Sequence, residues 1–310
     1  MTTSAARTAT ASSLSYHDIL SDDGTHLRAW TNDPDQLIDG PTVVLCNGLG
    51  TNPFMWPALL RPDCGVRVVS WYHRGVGGSE RPRDPSHVEI EHFVEDGLSV
   101  MDHFGIDRAV LMGWSMGVNT MFELAVRYPE RVSGLFAVCG VPGDTFRTML
   151  APAFVPRPVA RALTVNLARL LKHGGWALSP VTSRLPIGPR TIDLLTLTRF
   201  MNRMPDPELA AVAIKEFLQV PVQWYFHLAL STSRHARVRL SKITVPALFI
   251  GARRDVLAGS RDMKTAAERI PGAGYLELPG SHFVQIEQPE LVHQLLVDFL
   301  EQVGSLRLSG

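Results

Sequence analysis

Short apolar runs alternate with amphipathic stretches along most of this chain, and the alternation predicts its architecture. Thr42–Cys46 (TVVLC), Val66–Trp71, Ala109–Met112 and Gly134–Cys139 are continuous apolar runs of strand length. Such runs mark strands covered on both faces. Between them, Ile90–Phe104 places Phe93, Leu98, Met101 and Phe104 on one helical face, and Met116–Tyr128 reads as a second helix. At the start, Tyr16–Ser21 and Thr25–Thr31 flank Asp22-Asp23-Gly24, the signature of a β-hairpin. The strand pattern resumes at Ala247–Gly251 and Tyr275–Leu278, and Gln288–Val303 closes with helical periodicity. Strands separated by helix-length crossovers predict an α/β fold: a mostly parallel sheet with helices on both faces.

From residue 144 to 240 the alternation stops. Nine prolines, from Pro152 to Pro221, punctuate helical pieces, of which Thr191–Met204 and Glu208–Val220 are the clearest. The expected organisation is a flexible tail over 1–15, a core over 16–143 and 241–304, and a helical insertion over 144–240. The tail is rich in Ser, Thr and Ala and lacks the apolar stretch of a secretory signal. No apolar run of membrane-spanning length occurs in the sequence.

Charge adds one feature. The 310 residues carry 30 basic and 30 acidic side chains, a balance that gives no sign of a nucleic-acid partner. The insertion, however, holds 13 Lys/Arg against 5 Asp/Glu, so the zero total hides a basic insertion on an acidic remainder. A basic insertion is either a solvated face or a surface that attracts anionic ligands and interfaces, which leaves a lipid substrate and peripheral lipid contact open. Three cysteines without regular spacing, Cys46, Cys64 and Cys139, argue against a disulfide framework and for a reducing, cytoplasmic setting. No His/Cys cluster has metal-ligand spacing, and neither a metal nor a cofactor is expected.

The candidate chemistry sits at strand ends. Gly113-Trp114-Ser115-Met116-Gly117 matches G-x-S-x-G, follows an apolar strand and precedes a helix, the context in which a sharp turn lifts a serine hydroxyl above a sheet. A serine needs a base, and His282 lies just past the last predicted strand. His73 also follows a strand and is the nearest alternative. The base needs a carboxylate to hold its tautomer. Asp255 follows the strand Ala247–Gly251; Asp144 is the alternative acid, and Asp262 looks like a first-turn helix carboxylate. Acyl transfer also requires donors for an oxyanion. The backbone N–H groups of Met116 and of Leu49, in Asn47-Gly48-Leu49-Gly50, are the candidates. Trp114 and Asn47 are candidates for the substrate pocket, to which some apolar residues of the insertion should also contribute: Met149, Phe154, Val155, Leu163, Trp176, Phe200, Met201, Phe217, Trp224, Tyr225 and Phe226.

Taken together, the NGLG loop, HRGVGGS at 73–79, GWSMG at 113–117, GARRD at 251–255 and GSH at 280–282 make the chain resemble the α/β-hydrolase family. The likeness covers roughly 15–303 apart from the insertion, and is greatest to bacterial esterase- and lipase-like members with a helical cap. It implies an α/β-hydrolase sheet, the order nucleophile–acid–base for Ser115, Asp255 and His282, and cleavage of a carboxylic ester through an acyl-enzyme. Thioesterase, C–C hydrolase, perhydrolase or acyltransferase chemistry, or ligand binding without turnover, would suit the same residues. Epoxide and haloalkane hydrolases use a carboxylate nucleophile, whereas position 115 is a serine. Two departures stand out: Asn47-Gly48 replaces the family's His-Gly, and Tyr72 replaces an Asp before the R-G-x-G-x-S loop, which puts a local surface contact in doubt.

Overall fold

The opening hairpin turns at Gly24, whose φ of 77° suits a residue without Cβ, and the amide of Ser21 bonds to the carbonyl of Thr25 at 2.9 Å. It joins β1 (Ser15–Leu20) to β2 (His26–Thr31), antiparallel to each other. A computed structural model describes residues 14–308 except 144, 150–154, 199 and 237. Six further strands complete one sheet: β3 (Thr42–Cys46), β4 (Arg67–Trp71), β5 (Ala109–Trp114), β6 (Val132–Val138), β7 (Ala247–Ala252) and β8 (Gly274–Leu278). The order is β1-β2-β4-β3-β5-β6-β7-β8. β2 meets β4 antiparallel, and every pairing from β4 through to β8 is parallel. Every residue of β5 and β6 is buried, Ser133 of β6 included, as strands covered on both faces require.

Helices cover both faces. α1 (Ile90–His103) and α2 (Gly117–Arg127) provide crossovers, and α11 (Pro289–Leu308) closes the chain. In β6, Phe136 points to α11, its ring 5.9 Å from Phe299. The next residue, Ala137, points the other way and pairs with Phe249 of β7, which stacks on Phe122 of α2 at 5.4 Å. Phe122, Phe136 and Phe249 are wholly buried, each contributing about 2 kcal/mol through removal from water.

Between β6 and β7 the chain runs through α3 (Thr145–Thr148), α4 (Arg157–Gly174), α5 (Ser179–Thr182), α6 (Pro189–Leu197), α7 (Pro207–Phe217) and α8 (Val222–Thr232). α4 and α8 pack against each other. The expected helix over 191–204 stops at Leu197. Downstream, the Asn202 amide donates to the Glu287 carboxylate at 2.6 Å, a tertiary bond that takes this N–H out of any helical ladder. α7 starts at Pro207 because the Asp206 carboxylate caps the amides of Glu208 and Leu209. After β7 come α9 (Ser260–Ala267), which has Asp262 in its first turn, and α10 (Val284–Glu287). Among the described residues, no helix is long and apolar enough to cross a membrane.

Candidate active site

β5 runs into α2 through Ser115, whose φ of 55° lies in the left-handed region. An L-residue there costs on the order of 1 kcal/mol, which the surrounding bonds must hold in place. The Ser115 amide donates to the Val138 carbonyl at 3.1 Å, and the Ser115 carbonyl accepts from Val118 at 3.2 Å. The turn is tight enough to dictate its glycine: a Cβ on Gly117 would lie 1.8 Å from the Cys46 carbonyl oxygen. The result is a hydroxyl raised at the start of a helix, where the N-terminal dipole favours negative charge.

The loops after β5, β7 and β8 bring Ser115, Asp255 and His282 together. Ser115 Oγ lies 2.9 Å from His282 Nε2, and His282 Nδ1 lies 2.9 and 3.0 Å from the two Asp255 oxygens. Asp255 is buried, and its Oδ1 also accepts from the amides of Leu257 and Ala258, each at 2.8 Å. These amides fix the carboxylate beside Nδ1; in the tautomer with a proton on Nδ1, Nε2 faces the serine hydroxyl as an acceptor. Asp144 lies outside the described residues. Asp262 is engaged elsewhere, accepting from Arg157 at 2.8 Å. His73 is buried against Phe93, and burial pulls its pKa down to about 4.

Further contacts steady the histidine loop. Trp114 Nε1 donates to the carbonyl of His282 itself at 3.0 Å, and the indole lies 5.5 Å from the imidazole. The buried Glu287 accepts from the Ser281 amide at 2.9 Å and from its hydroxyl at 2.5 Å, and from both nitrogens of Asn202. Arg254 in turn bonds to the Asn202 side chain. Glu287 therefore links the residue before His282 to the segment inserted between β6 and β7. The sequence offered no motif for it. Beside Asp255, the Cys139 thiol is pushed well above its usual range by burial and by that carboxylate, so it stays protonated.

After β3, the Asn47 side chain accepts from the Gly48 amide at 2.9 Å and from Trp56 Nε1 at 3.2 Å, and donates to the Asn52 carbonyl at 3.3 Å. Asn47 is thus a brace for this loop and does not line the cavity, contrary to the sequence expectation; its polar atoms are already committed. The brace does what the loop needs: it occupies the Gly48 amide, while no acceptor among the described residues takes the backbone N–H of Leu49 or of Met116. Tyr72, which stands where the resemblance led us to expect an Asp, is buried against Tyr16 and over Gly77. Arg74 of the HRGVGGS loop is buried too, pairing with Asp96 at 2.7 Å and Asp23 at 2.5 Å, while its carbonyl accepts from Trp224 of α8.

Ser115 and His282 open into a cavity of about 300 Å³. Leu49, Met55, Trp114, Leu257 and Phe283 line it from the sheet side. Leu195, Phe200, Met201, Ile214, Phe217, Leu218 and Tyr225 line it from the segment between β6 and β7, and among the described residues none that lines it is a lysine, arginine, aspartate or glutamate. Of the apolar residues singled out in the insertion, Phe200, Met201, Phe217 and Tyr225 reach the cavity. Leu163 and Trp176 point to solvent, Trp224 is spent on Arg74, and Phe154 lies outside the described residues.

The chain belongs to the α/β-hydrolase fold family, whose model matches residues 41–289. Epoxide hydrolase B of Mycobacterium tuberculosis is 33% identical, over 94% of this chain and 99% of that protein. Bifunctional epoxide hydrolase 2 of Rattus norvegicus is 25% identical over 86% of this chain, which spans only 52% of the length of that relative. Among solved structures, the enol-lactonase of Burkholderia xenovorans LB400 superposes with a TM-score of 0.68 at 26% identity, covering 93% of this chain and all of that one.

Proposed function

We propose that the chain hydrolyses carboxylic esters with an apolar acyl or alcohol group, through an ester formed on Ser115. The observation that carries this reading is the hydrogen-bonded run from Ser115 Oγ through His282 to Asp255, opening into a cavity with no Lys, Arg, Asp or Glu among its described lining residues. Ser115 Oγ attacks the substrate carbonyl carbon as His282 Nε2 takes the hydroxyl proton. The oxygen of the tetrahedral intermediate takes hydrogen bonds from the Leu49 and Met116 amides. Collapse expels the alcohol, protonated by His282. A water then loses a proton to His282, attacks the acyl carbon and releases the acid, returning the proton to Ser115. Asp255 stabilises the imidazolium formed in both halves.

The resemblance to an enol-lactonase supports this reading, since a lactone is a cyclic ester. The names of the two epoxide hydrolases favour a second one, ring opening of an epoxide in the same cavity. Against it stands the residue at the elbow: Ser115 offers a hydroxyl where attack on an epoxide carbon in this family calls for a carboxylate. Parallel assays with p-nitrophenyl esters of increasing chain length and with an aryl epoxide separate the two. Expected are ester turnover, loss of about a thousandfold or more in Ser115→Ala, and labelling of Ser115 by a fluorophosphonate. Epoxide turnover that persists in Ser115→Ala, with no ester turnover in the parent, would overturn the proposal.

A further inference from the structure

α4 is built inside out for a helix that serves only the fold. Its buried residues are Ala160 and Ala168, on the side that packs toward α8. Of its large aliphatic residues, Val165 and Leu171 are partly buried, but others face outward: Leu163 is 57% exposed, Leu167 52% and Leu170 67%. A core-supporting helix places these the other way round. The same surface continues past the helix end through Trp176, which is 68% exposed, and Val181 in α5. Single exposed leucines are ordinary; a run along one helix and the turn that follows marks a surface that meets something apolar.

Charge identifies what it meets. Residues 145–197, to the end of α6, contain seven Lys/Arg and a single acid, Asp193. Arg169, Lys172, Arg184 and Arg190 have no carboxylate partner among the described residues. We propose that this surface docks on an anionic lipid bilayer, the aliphatic run entering the interface and the basic residues lying among the headgroups. A second copy of the chain fits poorly, since a twofold contact would set one predominantly basic surface against another. A bilayer bearing negative headgroups is complementary in both charge and polarity. α6 follows directly and has one side chain, Leu195, in the cavity wall while Leu194 and Leu197 are exposed. Docking would therefore bring the bilayer within one helix of the cavity. The inference does not depend on the reaction assigned to Ser115.

Vesicle sedimentation of the full chain tests it, with phosphatidylcholine alone and with about 30% phosphatidylglycerol added. The expected result is binding to the anionic vesicles only, weakened at least about tenfold between roughly 50 and 500 mM salt. Leu163→Ser with Leu167→Ser, and separately Arg169→Glu with Lys172→Glu, should each lower the partition coefficient by about tenfold or more. Both pairs lie outside the cavity, so turnover of a water-soluble ester should stay at the parent's level and report an intact fold. Should the glutamate pair unfold the chain, Arg169→Gln with Lys172→Gln replaces it. Equal binding to neutral and anionic vesicles, no binding to either, or variants that bind as the parent does would overturn the proposal. So would a parent dimer that the leucine variants convert to monomer without any vesicle binding.

Discussion

The buried His73 gives a stability prediction whose size follows from its surroundings. The residue is 3% exposed, its ring stands edge-on to Phe93, and its Nδ1 has no partner among the described residues. Burial lowers its pKa to about 4, whereas a histidine in an unfolded chain titrates near 6.5. As pH falls below about 6.5 the unfolded chain takes up a proton that the folded chain refuses, so unfolding becomes easier. The contribution is intact above about 6.5 and is lost progressively as pH falls toward 4. At about 1.36 kcal/mol per pKa unit, the loss reaches roughly 2.5 kcal/mol by pH 4.5. The perturbation is His73→Leu, which cannot titrate. Urea unfolding of parent and variant, followed by tryptophan fluorescence at about pH 7.5 and 4.5, gives four free energies. The parent should lose about 2.5 kcal/mol more than the variant between the two conditions. Burial also lowers the pKa values of His92, His235 and His293, but these are present in both proteins and cancel in the difference. Equal losses in parent and variant would refute the reasoning, whatever the variant's stability at neutral pH.

Asp255→Asn should leave the fold intact and lower ester turnover by at least about a hundredfold, because the amide would favour the wrong imidazole tautomer; turnover within a few-fold of the parent would remove Asp255 from the mechanism. Gly117→Ala forces a Cβ against the Cys46 carbonyl and should cost at least about 2 kcal/mol in chemical unfolding. Gly174→Ala, at a position with open space around the added carbon, should be nearly neutral and serves as the control. Ile214, in the cavity wall, should set chain-length preference: Ile214→Ala moves the optimum p-nitrophenyl ester toward longer acyl chains and Ile214→Phe toward shorter ones, and an unchanged profile in both would place the acyl group elsewhere.

The parts of the fold that were legible in the sequence are those buried on both faces. β5 carries no polar residue to interrupt its apolar run and β6 only the buried Ser133, and Gly117 beside Ser115 is dictated by a backbone collision that no side-chain movement could relieve. Because parallel strands end on one edge, a serine, an aspartate and a histidine just past three strand ends could be expected near each other. The inserted helices were harder to read. α4 keeps Leu163, Leu167 and Leu170 outside, so its periodicity does not identify a buried face, and the segment after α6 is held at Asn202 by Glu287, 85 residues further along the chain. Asn47 misled for a related reason. A polar residue beside a reactive loop looks like a ligand-binding group until its partners Trp56 and Asn52 are seen to occupy it.

The left-handed backbone at Ser115 has an evolutionary consequence. A glycine there would adopt a φ of 55° without penalty, so under the proposed mechanism Ser115→Gly would remove the nucleophile and relax the chain in the same step. Selection for the reaction and selection for a robust fold therefore oppose each other at this one codon. Copies released from the first pressure have a short, downhill path to a well-folded protein that still holds its cavity but no longer turns anything over.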